Sequence, residues 1–520
     1  MRKEIGMNRI YLNIAFVCVI AAFLVLLRHQ FHMLQLSSYR NDRYKKWAKE
    51  NFGKELTVWY IFPVLVPCII VMTSLPIWVF TVCFAVTLAL AVIFTPRKAE
   101  KKKLVITARV KRLYVTATVL SLIMLVLLNL VMGRNLFGYS DRFWVFVLFW
   151  ISVFAVCYRT VATRFINFIN APLEKAVARY YINDAKKVLA SSSVTVIGIT
   201  GSYGKTSTKY ILEKFLSQKF NTLMTPESYN TPLGAVRTIR EHLLPTHKYF
   251  ICEMGAKQVG DIKEICDIVH PTHCIITSIG PCHLENFGSM ENIVKTKFEL
   301  FDACDGIKII GADIEKECEG IRAGTSGDYF AKDISYNENG MTFTLVAKGE
   351  KIEISTSLLG MSGVKNIVTA AAMAMELGVP AEDIRFACAR LKAVPHRLEI
   401  NRKSANYIVI DDAFNSNPAG ASEALTVLSS FEGYTRVVIT PGMVELGEKT
   451  YELNRELGVK AKECADYIIA VGKNAEAIKE GAENAIVVKN LNEALGKLQT
   501  LMGEKTVVLF ENDLPDNYEE

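Results

Sequence analysis

Two patterns of apolar residues divide the chain. Up to residue 162 they come in unbroken runs, at 11–27, 58–73, 75–94, 113–132 and 143–158. Runs of this length read as bilayer-crossing helices. Ser74-Leu75-Pro76 separates the second from the third as a tight hairpin, so the pattern predicts an α-helical membrane region of about five spans. No small-residue cleavage site follows the first run, which argues against a cleaved signal peptide. Residues 163–193 are charged and amphipathic, with Leu173-Glu174-Lys175, Tyr180-Tyr181 and Ala185-Lys186-Lys187, and predict a connecting helix. Beyond them, short apolar runs alternate with helical periodicity. Strands are predicted at 194–197, 249–253, 273–278, 307–311, 407–410, 436–440, 467–471 and 507–510, and an alternating hairpin at 341–357. This alternation predicts α/β architecture with mostly parallel sheets. Pro395-His396-Arg397 reads as a hinge, giving a membrane region 1–162, a connecting helix 163–193, a central domain 194–392 and a C-terminal domain 393–520.

Composition and charge sharpen the first half of this reading. Of 520 residues 51% are hydrophobic, and the excess lies almost entirely before residue 162. The net charge of +7 gathers between the apolar runs. Segment 28–55 carries Arg28, Arg40, Arg43, Lys45, Lys46, Lys49 and Lys54; segment 97–112 carries Arg97, Lys98, Lys101, Lys102, Lys103, Arg109, Lys111 and Arg112. Basic loops favour the cytoplasmic side, so both loops and everything after residue 158 are expected there, with the N-terminus outside. Arg2, Lys3 and Arg9 weigh against that N-terminus. The expected location is the cytoplasmic membrane, multi-pass, with the lipid bilayer as a partner and the catalytic domains facing the cytoplasm. The charge needs no nucleic-acid partner to explain it. Twelve cysteines are scattered, including Cys18, Cys68, Cys83 and Cys157 in apolar runs, and none forms a C-x-x-C pair. That fits a reducing cytoplasm and gives no disulfide or zinc framework.

Candidate chemistry begins at residues 194–208, VTVIGITGSYGKTST. A buried strand breaks into a glycine-rich turn with glycines at 198, 201 and 204, then reopens as a helix at Lys205-Thr206-Ser207. Such a turn aims backbone N–H groups at one point, at the positive end of the helix dipole, where a polyphosphate fits. Lys205 would reach the β/γ oxygens and the Thr206 hydroxyl a Mg²⁺ ion. Ile199 stands where the strict Walker pattern has glycine, and G-x-G-x-x-G spacing is absent. The plain alternative is an ordinary strand–helix turn. Nucleotide phosphate binding is expected at Gly201, Ser202, Gly204, Lys205, Thr206 and Ser207. Glu253 ends another predicted strand, where a carboxylate can hold Mg²⁺ or simply be solvated.

Taken with Glu253-Met254-Gly255-Ala256 and Gly280-Pro281-Cys282-His283-Leu284-Glu285, this loop resembles the Mur ligase family. Further motifs agree, in order: Tyr229-Asn230-Thr231-Pro232, Lys297-Phe298-Glu299-Leu300-Phe301, Asp411-Asp412-Ala413-Phe414-Asn415-Ser416-Asn417-Pro418 and Gly442-Met443-Val444-Glu445-Leu446-Gly447. The resemblance spans about residues 194–515 and is nearest the branch that adds D-alanyl-D-alanine to a UDP-linked muramoyl tripeptide. It implies a P-loop ATPase-like central domain and a Rossmann-like C-terminal domain. It also implies ATP, two Mg²⁺ ions, and a carbamylated Lys297 that joins His283 on the second ion. Thr206 and Glu253 would hold the first. Asn366 would contact adenine, and Arg397 and Asp412 would reach the nucleotide when the domains close. Without the motifs, His283 reads as a structural histidine, Lys297 as a solvated helix lysine, and Arg397 and Asp412 as an interdomain ion pair.

The implied reaction is amide formation through an acyl phosphate, with Lys205, Lys297 and His283 in catalytic roles. A carboxylate acceptor and an amine donor of cell-envelope type would be the substrates, with cell-wall synthesis proteins as further partners. Three features depart from the family pattern. Ser362-Gly363 replaces a usual His-Asn, apolar runs stand in place of a UDP-binding domain, and the end reads Phe510-Glu511-Asn512-Asp513-Leu514-Pro515 rather than a Lys-Gly-Ser type. A poly-γ-glutamate-type synthase remains open, as does a membrane P-loop transporter or nucleotide sensor.

Overall fold

The computed structural model describes residues 2–51, 62, 65, 76–95, 103–134, 143–145, 147, 150–151, 158–227, 229–282, 284–337, 340–392, 396, 398–404, 406–413, 417–444 and 446–512. The chain forms two compact units, Met1–Ala178 and Arg179–Glu520.

The first unit is helical. Its helices are Arg2–Leu36, Asn41–Asn51, Ile77–Ile93, Ala108–Arg134 and the first part of Arg159–Ala190. Leu12, Ala15, Phe16 and Val19 recur at helical spacing and pack with Phe80, Phe84 and Leu88. Arg112 closes the unit with a bidentate pair to Glu174, Nε to Oε1 at 2.6 Å and Nη2 to Oε2 at 2.8 Å.

This unit corrects the membrane expectation. Among the described residues two helices, Met7–Leu36 and Ala108–Val131, are long and apolar enough to cross a membrane, and Ile77–Ile93 is shorter. The expected runs 58–73 and 143–158 lie largely outside the described residues. Two such helices are weak evidence of a membrane crossing, so the expected multi-pass membrane localisation does not stand, while the count of five spans rests partly on runs outside the described residues. The physical reason lies in the packing. One face of these helices forms a helix–helix core, enclosing Leu12, Phe16, Phe80 and Phe84, while Ile14, Val17, Val82 and Val86 stay exposed, so apolar content serves packing as well as any lipid contact.

The second unit holds two sheets. The first contains β1 (Thr195–Thr200), β2 (Thr222–Met224), β3 (Tyr249–Glu253), β4 (His273–Ile276), β5 (Lys308–Gly311), β6 (Ile321–Gly324), β7 (Tyr329–Asn337), β8 (Gly340–Ala347) and β9 (Glu350–Thr356). Their order is β2-β3-β1-β4-β5-β6-β7-β8-β9. Pairing is parallel from β2 through β7 and antiparallel from β7 to β9. The antiparallel end includes the hairpin expected at 341–357. β1 lies between β3 and β4 and is buried from Val196 onward, as the continuous apolar run requires. Its glycine at 198 is a packing position: a Cβ there would meet Leu300 Cδ1 at 2.6 Å.

The second sheet contains β10 (Glu399–Ser404), β11 (Tyr407–Asp412), β12 (Thr435–Thr440), β13 (Tyr467–Val471), β14 (Ile486–Val488) and β15 (Thr506–Glu511). Its order is β10-β11-β15-β12-β13-β14, with only β10 antiparallel. In both sheets the loops at the carboxyl ends of parallel strands are where ligands bind in this architecture.

Candidate nucleotide and metal site

β1 ends at Thr200 and the helix Lys205–Leu216 begins five residues later. Gly201 (φ +152°) and Gly204 (φ +79°) make the turn. A Cβ on Gly201 would lie 2.1 Å from Thr277 Oγ1, and one on Gly204 would lie 2.4 Å from Asn366 Oδ1. Neighbouring residues after β4 hold the turn in place. Ser202 N–H donates to the Ser278 carbonyl at 2.8 Å and Tyr203 N–H to Ser278 Oγ at 3.0 Å. Ser202 Oγ donates to the Gly280 carbonyl and Tyr203 Oη to the Pro281 carbonyl, each at 3.0 Å. No side chain caps the helix that follows, so its first N–H groups face the turn as an anion site would require. Lys205 Nζ lies back over the turn, donating to the carbonyls of Gly201 (2.8 Å) and Ser202 (3.2 Å).

Glu253 ends β3 in register with Ile199 of β1, which brings its buried carboxylate to the start of the helix. Thr206 Oγ1 donates to Glu253 Oε1 at 3.0 Å, and Asn230 Nδ2 reaches the same oxygen at 3.5 Å. Lys209, one turn beyond Lys205, is fully buried and places Nζ 3.0 Å from Glu253 Oε2. Burial pulls the Lys209 ammonium below its usual range and the Glu253 charge pushes it back up. A hydroxyl and a carboxylate at one point are hard oxygen donors, the chemistry Mg²⁺ selects, so these residues fit that ion. Among the described residues no cluster of three His, Cys, Asp or Glu side chains gathers for a metal.

Lys297 lies on the helix Met290–Asp302, which Ser289 caps by accepting from Asn292 N–H at 3.3 Å. Its side chain is 1% exposed. Burial, and then the positive charge of Lys205, pull its amine down to about 7. Lys297 is therefore not the solvated lysine of the plain alternative. The rest of its motif is structural. Phe298 and Leu300 are core, and Glu299 accepts from Gly260 N–H (2.7 Å) and Lys263 N–H (2.9 Å) at the start of the helix Asp261–Val269. His283, Arg397 and Glu445 lie outside the described residues.

The structure thus gathers Gly201, Ser202, Gly204, Lys205, Thr206, Glu253 and Asn366 around one helix start, with Ser207 in its first turn. Asn366, on the helix Met361–Glu376, accepts from Thr208 Oγ1 at 3.2 Å. Asp412 stands apart from them at the end of β11 in the second sheet, where its Oδ1 accepts from Leu398 N–H at 3.0 Å. The departure at Ser362 makes a cross-domain contact: its N–H donates to Glu423 Oε1 at 2.5 Å and its hydroxyl to Oε2. Sequence reasoning missed Lys209 and Glu423. An i, i+4 pair of lysines at the start of a phosphate-loop helix was the available signal for the first.

Residues 199–374 match the Mur ligase middle domain, and residues 396–511 match the Mur ligase glutamate ligase domain. Over 328 residues the chain is 30% identical to the UDP-N-acetylmuramoyl-tripeptide–D-alanyl-D-alanine ligase of Escherichia coli (strain K12), covering 60% of this chain and 72% of that relative. This chain belongs to the Mur ligase family. Solved structures agree. MurF from Acinetobacter baumannii matches with TM-score 0.62 and 27% identity, over 66% of this chain and 78% of that one. The MurF ligase of Thermotoga maritima, solved with ADP, gives TM-score 0.61 and 27% identity over 65% and 80%. This Mur ligase is an ATP-dependent, peptide-bond-forming enzyme with central and C-terminal α/β domains. The transporter or sensor reading falls, and the relatives, named as ligases, lend nothing to a multi-pass membrane placement.

Proposed function

We propose that this Mur ligase joins D-alanyl-D-alanine, or a closely related amine, to the peptide carboxylate of a muramoyl tripeptide in peptidoglycan synthesis. The relative at 30% identity carries that activity in its name. The observation that carries the ATP-dependent chemistry is the contact of Thr206 with Glu253 at 3.0 Å beside the phosphate loop. A substrate carboxylate oxygen attacks the γ-phosphorus, ADP leaves, and an acyl phosphate remains. The amine nitrogen then attacks the acyl carbon, phosphate leaves, and the ammonium proton passes to solvent. Gly201, Ser202, Gly204, Lys205, Thr206 and Ser207 bind and orient the phosphates, and Lys205 offsets the charge that grows on them. Glu253 and Thr206 would hold one Mg²⁺, and His283 and Lys297 a second; the ions neutralise phosphate charge when bound. Asn366 serves the adenine side. Arg397 and Asp412 close on the nucleotide from the C-terminal domain, with 194–392 and 393–520 as the two domains.

Lys297 acts here as a carbamate. Its neutral amine adds to the carbon of CO₂ and loses one proton to solvent, which turns a buried amine into an anionic oxygen ligand. The burial of Lys297 supports this, because only the neutral amine has the nitrogen lone pair that CO₂ needs.

ADP release tests the substrate assignment. Release is expected only when UDP-linked muramoyl tripeptide and D-alanyl-D-alanine are both present. Release with a glutamate polymer and glutamate, and none with the first pair, would establish the poly-γ-glutamate reading instead.

A further inference from the structure

Lys209 has no assigned part in the reaction, yet it is fully buried against Glu253. A buried ion pair is weak as a stabilising device, since apolar side chains of similar size commonly do as well or better. Its presence calls for a reason in the carboxylate it touches. The two oxygens of Glu253 have different company. Oε1 accepts from Thr206 Oγ1 at 3.0 Å, while Oε2 faces the Lys209 ammonium at 3.0 Å. Lys209 Nζ also donates to the Glu227 carbonyl, and Glu227 sits at φ +42°, a left-handed conformation that a glutamate adopts only under constraint. The same segment returns to Glu253 twice more. Glu253 N–H donates to Thr225 Oγ1 at 3.2 Å, and Asn230 Nδ2 reaches Oε1 at 3.5 Å.

We propose that Lys209 is a positioning residue that holds Oε2 of Glu253 together with Glu227, near Thr225 and Asn230, so that Oε1 and the Thr206 hydroxyl are presented to the metal side of the site. The proposal rests on the assignment of Glu253 as a Mg²⁺ ligand. Lys205 and Lys209, one helical turn apart, then divide the work: one serves the phosphates, the other the carboxylate that receives the ion.

Calorimetric titration of the full-length protein with ADP, in EDTA and across a Mg²⁺ series, tests this. In Lys209→Met, ADP affinity in EDTA is expected within twofold of wild type, while the Mg²⁺ concentration for half-maximal enhancement rises at least tenfold. Lys209→Arg should recover most of the shift. An unchanged Mg²⁺ midpoint, or equal loss of ADP affinity with and without Mg²⁺, overturns the proposal. Should Lys209→Met fail to fold, the comparison of Glu253→Gln with Glu253→Gln/Lys209→Met decides, because no carboxylate is left unpaired. Equal Mg²⁺ dependence in the two is expected; further weakening in the double variant overturns the inference. A Glu253→Gln variant with wild-type Mg²⁺ dependence overturns the metal assignment and this inference together, whereas a shift there without one in Lys209→Met overturns only the inference.

Discussion

At the scale of single residues, Lys297 makes the sharpest claim. A lysine 1% exposed whose amine is pulled down to about 7 is half neutral near physiological pH. Its folded value lies below its usual 10.5, so between those limits the unfolded chain holds more protons; the buried amine disfavours folding most at and below about 7, and stability rises as pH climbs toward 10.5. Below about 7 the buried ammonium form takes over, and it cannot add CO₂. At fixed bicarbonate, activity should therefore fall as pH drops through 7, and added bicarbonate should shift the fall toward acid. Lys297→Ala should be nearly inactive and partly restored by short-chain carboxylates, which can supply the missing oxygen. Lys297→Arg should be inactive without rescue, since bulk and charge remain. Steady-state ADP release checks all three, and near-normal activity of Lys297→Ala without added acid would remove the carbamate from the mechanism. The sequence motif located this residue; only the fold showed its burial, because a lysine on a helix carries no local sign of which face it occupies.

At the scale of elements, the strand–turn–helix unit was legible because its signals are local: a β-branched run, turn glycines, then a helix opening on Lys205. Its limits were less so. β1 runs on through Gly198 to Thr200, because that glycine lies against Leu300 from a distant helix. The strands β2 and β14, three residues each, are too short for periodicity to register. The turn itself yields a prediction. Gly204 combines φ +79° with Asn366 Oδ1 at 2.4 Å from where a Cβ would sit. Gly204→Ala must strain the backbone, at about 1–3 kcal/mol, and push Asn366 away from Thr208. The protein should stay folded but lose most of the thermal stabilisation by Mg²⁺·ADP. Stabilisation equal to wild type would mean that the turn does not hold phosphate.

For the whole molecule, the apolar runs before residue 162 show the limit of one-dimensional reading: hydropathy does not say which face of a helix packs against its neighbours, as Phe16 does with Phe80 and Phe84, and which stays exposed, as Ile14, Val17 and Val86 do. The two-sheet architecture of the second unit was readable because parallel strands are buried on both faces and leave continuous apolar runs. Their joining was not. Glu423, on the helix Pro418–Ser429 beside the second sheet, accepts from Ser362 N–H at the start of the helix Met361–Glu376, which packs on the first. Burial raises the Glu423 carboxyl above its usual 4.5, against the pull of the Ser362 hydrogen bonds. A carboxyl raised on folding is protonated in the folded state before the unfolded one, so its ionisation costs stability as pH rises through the folded value. Glu423→Gln, neutral and of equal shape, should therefore unfold at the same or a higher temperature than wild type at pH 8, with a smaller dependence on pH above 4.5. Glu423→Ala leaves the Ser362 N–H and hydroxyl without this acceptor, at about 1–3 kcal/mol, and should lower the unfolding temperature at every pH. Thermal unfolding of the three proteins between pH 5 and 8 separates the outcomes: if Glu423→Ala unfolds with wild type, the contact does not join the two domains, and apolar packing such as that of Leu359 against the second domain's core carries more of the join.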